Sequence, residues 1–143
     1  MTTGRDYNRV DLLVAGRRDQ FRANAAIRPG VACKVDSAGE IGPWATDGTL
    51  YELIIALNKQ KIGQSIDDAH ADNDLVEVIY PIRGDVINII LESANDITLD
   101  DFLTVTSSGT FRLAASTETR VLRPLAVHVG TGSADLFMAC RVL

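Results

Sequence analysis

The sequence has 143 residues, 46% of them hydrophobic and 23% charged, with a formal net charge of −5. That length suits a single domain with a core of its own. There is no apolar run of about 18 residues to mark a membrane span, no charged-then-apolar leader, and neither a disulfide framework nor a zinc spacing in the two distant cysteines, Cys33 and Cys140.

Charge is spread unevenly. Residues 1–30 carry Arg5, Arg9, Arg17, Arg18, Arg22 and Arg28 against Asp6, Asp11 and Asp19, a net +3 that leaves −8 for the rest. Residues 1–26 show no clean periodicity and read as an extended N-terminal arm, basic on an acidic body. Val10, Leu12, Leu13 and Val14 form an apolar patch within it, bounded by Gly16 and Arg17-Arg18, of which Leu12, Leu13 and Val14 are the candidate anchor. Such a patch suits an added strand or an anchor on a partner. Arg17, Arg18 and Arg22 suit charge-assisted contacts to an acidic surface. Nucleic acid is the weaker candidate, because the arginines are mixed with aspartates and aromatics total only 6%. Deleting residues 1–20 is expected to leave a folded β-rich body over 27–143.

After the turn signal Arg28-Pro29-Gly30, Val31 to Val35 alternates, Asp36-Ser37-Ala38-Gly39 turns, and Glu40 to Trp44 returns as a hairpin. Residues 50–57 have helical spacing of leucines, but Tyr51 and Ile54-Ile55 and the close flanking turns favour a strand. Residues 58–74 are polar and loop-like. From Asp74 to Glu92, two Val/Ile-rich runs are separated by Pro81 and Gly84, and read as strand, turn, strand. Val76, Val78 and Tyr80 share a face of the first run; Ile87, Ile89 and Leu91 share a face of the second, with Asn88 opposite. A second hairpin spans Phe102 to Leu113 around Ser107-Ser108-Gly109-Thr110. A long strand is expected over Val121 to Val129, with Pro124 marking an edge or bulge, and a last strand over Leu136 to Val142. No capped helix appears. The reading is an all-β, single-domain sandwich or barrel. At a shift of 70 residues, Ile27, Val35, Ser37 and Gly39 meet Ile97, Val105, Ser107 and Gly109, a hint of two related halves.

Candidate chemistry is sparse. Asp67, Asp68, His70, Asp72 and Asp74 suggest a metal site, but the EF-hand glycine and final glutamate are missing, and an exposed polar loop is the better reading. His128 reads as a surface or interface histidine. No nucleophile elbow, dinucleotide fingerprint or acid–base pair is present, so no enzyme, cofactor or metal is expected. Cys33 and Cys140 lie within apolar alternation and read as buried free thiols. Two rivals remain: a carbohydrate-binding or adhesin module using Trp44 and Tyr51, and a small hydrolase using the carboxylates of 67–74. The apolar strands 84–91 and 121–129 exceed what one small sandwich easily covers, which points to a symmetric homo-oligomer.

Phe21-Arg22-Ala23-Asn24-Ala25-Ala26-Ile27-Arg28-Pro29-Gly30, Lys61 to Asp68, Asp74 to Val78 with Gly84-Asp85, and Leu99-Asp100-Asp101-Phe102-Leu103 to Gly109 together resemble the head decoration, or cement, proteins of tailed bacteriophages. The resemblance covers roughly residues 20–143. In that family a strand is preceded by a Gly-Asp step; Asn73-Asp74 and Asp100-Asp101 stand here in its place. The resemblance implies a jelly-roll or β-tulip protein on the virion exterior, made in the host cytoplasm. It would bind the major capsid protein, as a homo-trimer or, second, a dimer, and carry no catalytic residues.

Overall fold

The computed structural model describes residues 9–58, 68–92, 96–128 and 135–143. Eleven strands are present: β1 (Asp11–Leu13), β2 (Arg17–Arg22), β3 (Cys33–Val35), β4 (Ile41–Pro43), β5 (Ile55–Ala56), β6 (Leu75–Tyr80), β7 (Val86–Leu91), β8 (Leu103–Val105), β9 (Phe111–Leu113), β10 (Leu122–Pro124) and β11 (Leu136–Val142). No described residue is helical, as the alternation of the sequence requires.

The second half closes into a barrel. Its order is β7-β11-β10-β8-β9, and β9 returns to β7 through the parallel pair Leu91–Phe111. Closure removes the free edges that a five-stranded sheet would otherwise expose. β1 adds to the outside of β7, with a register shift between Asp11 and Leu13. Alternation decides what fills the barrel. Ile87, Ile89 and Leu91 of β7 join Leu103, Val105, Phe111, Leu122, Met138 and Cys140 in one buried cluster.

The first half repeats this arrangement. β2, β6 and β5 form one sheet and β3–β4 a hairpin. Two single bridges join them: Ala32–Ile55 links the hairpin to β5, and the parallel Ala23–Ile41 links it back beyond β2. The order β2-β6-β5-β3-β4 thus matches β7-β11-β10-β8-β9, strand for strand and in the same chain order. The two hairpins have the same register at a shift of 70: Cys33–Pro43, Lys34–Gly42 and Val35–Ile41 against Leu103–Leu113, Thr104–Arg112 and Val105–Phe111. Their turns share the same bonds, Gly39 N–H to Asp36 O and Gly109 N–H to Thr106 O, each 3.1 Å. Both glycines have positive φ, 79° and 85°, which any residue with a Cβ adopts at a cost. Ile27 and Ile97 are bridged to His70 and His128. The weak sequence repeat therefore marks a duplicated five-stranded unit.

The stretch 74–92 behaves as its pattern predicts, but its two strands belong to different sheets. Val76 and Val78 lie in the core of the first unit with Ile90. β7 is buried along its whole length. One face fills its own barrel, and Ile90 on the other packs into the first unit. Its apolar character is thus satisfied within one chain, and gives no reason for a second copy.

Four expectations are corrected. The segment 1–26 is no extended arm where it is described, since 11–13 and 17–22 are strands of the two sheets. The arginines of β2 occupy an edge strand, where charge is tolerated and blocks further pairing, and this is why periodicity failed to reveal it. Removing 1–20 would strip β1 and most of β2, so the body would not be left intact. The strand expected over 121–129 is confined to Leu122–Pro124, with one further bond from the Leu125 N–H to the Ala139 carbonyl before the chain turns away; residue 129 and the turn 130–133 lie outside the described residues. His70 is not in an exposed loop but fully buried, its Nε2 2.6 Å from the Leu57 carbonyl. The expected loop 58–74 otherwise falls partly outside the described residues, at 59–67, as do residues 1–8.

Candidate functional site

The corner between β1 and β2 is built around Asp85. This buried carboxylate accepts the amides of Ala15 (2.9 Å), Gly16 (3.0 Å) and Ile82 (2.9 Å). A Cβ on Gly16 would overlap the carbonyl oxygen of Tyr80, so only glycine lets the chain pass there. The same Asp-capped turn recurs before β6 and β8. Ala71 N–H bonds to Asp74 and Thr98 N–H to Asp101, each at 2.8 Å. Asn73 fills the glycine position before Asp74 with φ 70°, a conformation asparagine tolerates better than most residues.

From this corner the six candidate docking residues project differently. Leu13 is 72% exposed. Leu12 is half-buried, and Val14 packs against the larger core. Arg17 lies over the Tyr80 ring at 4.2 Å and 3.6 Å from Asp19. Arg18 is bonded to Asp11 and lies 3.6 Å from Glu77. Arg22 donates to the Asn73 carbonyl at 2.8 Å. Burial works to raise the Asp11 carboxyl, but hydrogen bonds and charge from Arg18 and Arg9 outweigh it and hold it below the usual carboxylate range. The structure therefore gathers the three arginines on one edge strand. Arg18 and Arg22 lie on one face and Arg17 on the other, each with an internal partner. Val14 serves the fold rather than the surface.

The rival sites lose their geometry. Trp44 is buried, its Nε1 donating to the carbonyls of Thr46 and Thr49 at 2.8 Å. It meets the exposed Tyr51 edge-on at 5.9 Å, so the two rings form no flat sugar platform. His70 is turned inward, while Asp68 and Asp72 are exposed, so the histidine does not complete a carboxylate cluster. Asp67 lies outside the described residues. Cys33 and Cys140 are buried free thiols; burial pushes the Cys33 thiol up to about 12 and raises Cys140 as well.

Sequence reading missed one surface. Arg83, Arg123 and Arg141 line an open groove of about 450 Å³ with Leu99, Leu125 and Leu143. Arg123 and Arg141 are far apart in the chain and meet because β10 pairs with β11, and the bond from the Gly84 N–H to the Val142 carbonyl brings Arg83 beside them. The register of that pair is the signal that would have found it.

These features define an all-β protein with a closed five-stranded barrel and extra strands that repeat its order. The fold is similar to that of the head fiber gp8.5 N base of bacteriophage phi29, with a TM-score of 0.57 at 15% identity, covering 89% of this chain and 93% of that one. At that identity the likeness is one of fold. No protein-family model and no curated protein matches the chain.

Proposed function

We propose that this protein is a structural component of a bacteriophage virion, that it binds the outer surface of the capsid and that it stabilises contacts between major capsid proteins. The observation that carries the reading is the fold shared with a phage head fiber base over nearly the whole of both chains. The short motifs shared with head decoration proteins support it from the sequence side. A role outside catalysis agrees with the inward-facing His70 and the inert thiols. The docking face is the β1–β2 edge. Leu13 supplies exposed apolar surface, Leu12 and Val14 support it from below, and Arg17, Arg18 and Arg22 turn their exposed N–H groups to carboxylates of the capsid, Arg18 while it stays bonded to Asp11. Assembly as a homo-oligomer, a trimer before a dimer, belongs to the same proposal.

A second reading comes from the printed identity of the structural neighbour: this chain is the base of a head fiber rather than a cement. Sedimentation of purified protein with capsids that lack it tests both. Binding that raises the temperature of capsid disruption supports the cement reading. Binding without stabilisation supports a fiber base, and absence of binding contradicts both.

A further inference from the structure

Arg123 and Arg141 are direct partners across β10 and β11, and both are exposed. Like charges placed opposite each other destabilise a sheet. Arg83 lines the same groove, and no aspartate or glutamate side chain does. Arg123 donates to the Leu99 carbonyl at 3.3 Å; the side chains of Arg83 and Arg141 have no hydrogen-bond or ion-pair partner among the described residues. Elsewhere the chain behaves differently: Arg9, Arg18, Arg28 and Arg112 each sit beside a carboxylate. A molecule of net charge −5 thus gathers three arginines at one place with no side-chain carboxylate in the lining.

The duplication gives this place a meaning. In the first unit the strands equivalent to β10 and β11 are β5 and β6, and the outward face that carries Arg123 and Arg141 in the second unit carries Ile55 and Ile79 in the first. Ile55 and Ile79 face away from their own core, are fully buried, and join the cluster that fills the second barrel. This face is therefore an occupied interface in the first unit, and its copy in the second unit is open and lined with arginine.

We propose that the Arg83–Arg123–Arg141 groove receives an acidic peptide segment of a partner protein that also carries leucine or isoleucine. Its carboxylates bind the three guanidinium groups, which favour bidentate contacts. Its apolar side chains lie on Leu99, Leu125 and Leu143, which are 50%, 40% and 43% exposed. A nucleic acid fits less well, because no aromatic side chain lines the groove to stack a base and the acidic body repels a long polyanion. The inference stands on the groove's chemistry and not on the capsid reading.

The test is fluorescence anisotropy at low salt with the whole chain. The probes are a labelled peptide of alternating glutamate and leucine, the same peptide with glutamine for glutamate, and a single-stranded oligonucleotide of equal charge. The glutamate peptide is expected to bind, with the glutamine peptide at least about tenfold weaker. Arg123→Glu and Arg141→Glu should each weaken the glutamate peptide about tenfold or more. Each variant also creates an opposite-charge pair across β10 and β11, so its melting temperature should be unchanged or higher. A variant that failed to fold would be replaced by Arg141→Gln, for which loss of binding is also expected. Equal binding of the two peptides, no binding of the glutamate peptide, undiminished binding by the folded variants, or tighter binding of the oligonucleotide would each overturn the proposal. No capsid enters the experiment, so its failure leaves the capsid reading to its own test.

Discussion

Asp85 holds Gly16 in place: its Oδ2 accepts the Gly16 amide at 3.0 Å across 69 residues of sequence, and Oδ1 accepts the neighbouring Ala15 amide. This clamp joins the β1–β2 corner to the turn before β7. Losing the carboxylate would leave three amides of a partly buried corner without their acceptor. Asp85→Ala is expected to cost about 3 kcal/mol, with Asp85→Asn in between because it keeps one acceptor oxygen. Gly16→Ala should cost a comparable amount through its collision with the Tyr80 carbonyl. Urea unfolding measures all three. Near-wild-type midpoints would show that the corner carries no load.

Arg112 joins Asp47 to Glu118, at 2.9 and 2.5 Å. Hydrogen bonds from Arg112 and from the Ala115 amide hold the Glu118 carboxyl at about 2, below its ordinary 4.5. The folded protein therefore binds this proton less tightly than the unfolded chain. The pair's stabilisation is complete above pH 4.5 and is lost as the pH falls toward 2. Glu118→Gln should melt lower than wild type at neutral pH, and the two melting temperatures should converge across that acid window. A constant difference would contradict the assignment.

Thr104 is fully buried, and its Oγ1 has no hydrogen-bond partner among the protein atoms described. A valine keeps the shape and removes the unsatisfied hydroxyl. Thr104→Val should raise stability by about 1 kcal/mol, read as a higher denaturation midpoint with an unchanged slope. A destabilised variant would mean that the hydroxyl is satisfied in solution.

With Cys33 pushed up to about 12 and Cys140 also raised, neither presents a thiolate near neutral pH. A thiol reagent should modify both only at the rate at which the protein opens. Replacing either with alanine should cost on the order of 1 kcal/mol. Rapid modification of the native protein would contradict the burial of both sites.

Much of this architecture is legible in the sequence, for identifiable reasons. Hairpins 33–43 and 103–113 declare themselves through alternation and a turn glycine, and β6 and β7 through Val and Ile runs split at Pro81 and Gly84. β2 was hidden because edge strands tolerate charge, and Arg-Arg-Asp-Gln-Phe-Arg alternates only weakly. His70 looked like part of an acidic loop, since a single inward bridge to Ile27 leaves no periodic trace. The six candidate docking residues lie on one segment, from β1 into β2. Their partners Glu77 and Tyr80, like Arg123 and Arg141 of the groove, are brought together by strand pairing between distant segments, which local pattern does not encode.

The central claim is that this chain resides on the outside of a phage head. Immunogold electron microscopy tests it most directly, using an antibody to this chain and phage particles from cells that carry its gene. The account predicts gold on the outer surface of intact heads, repeated around the shell. Labelling confined to disrupted particles, or heads that carry no gold while the chain stays in the unassembled fraction, would contradict it.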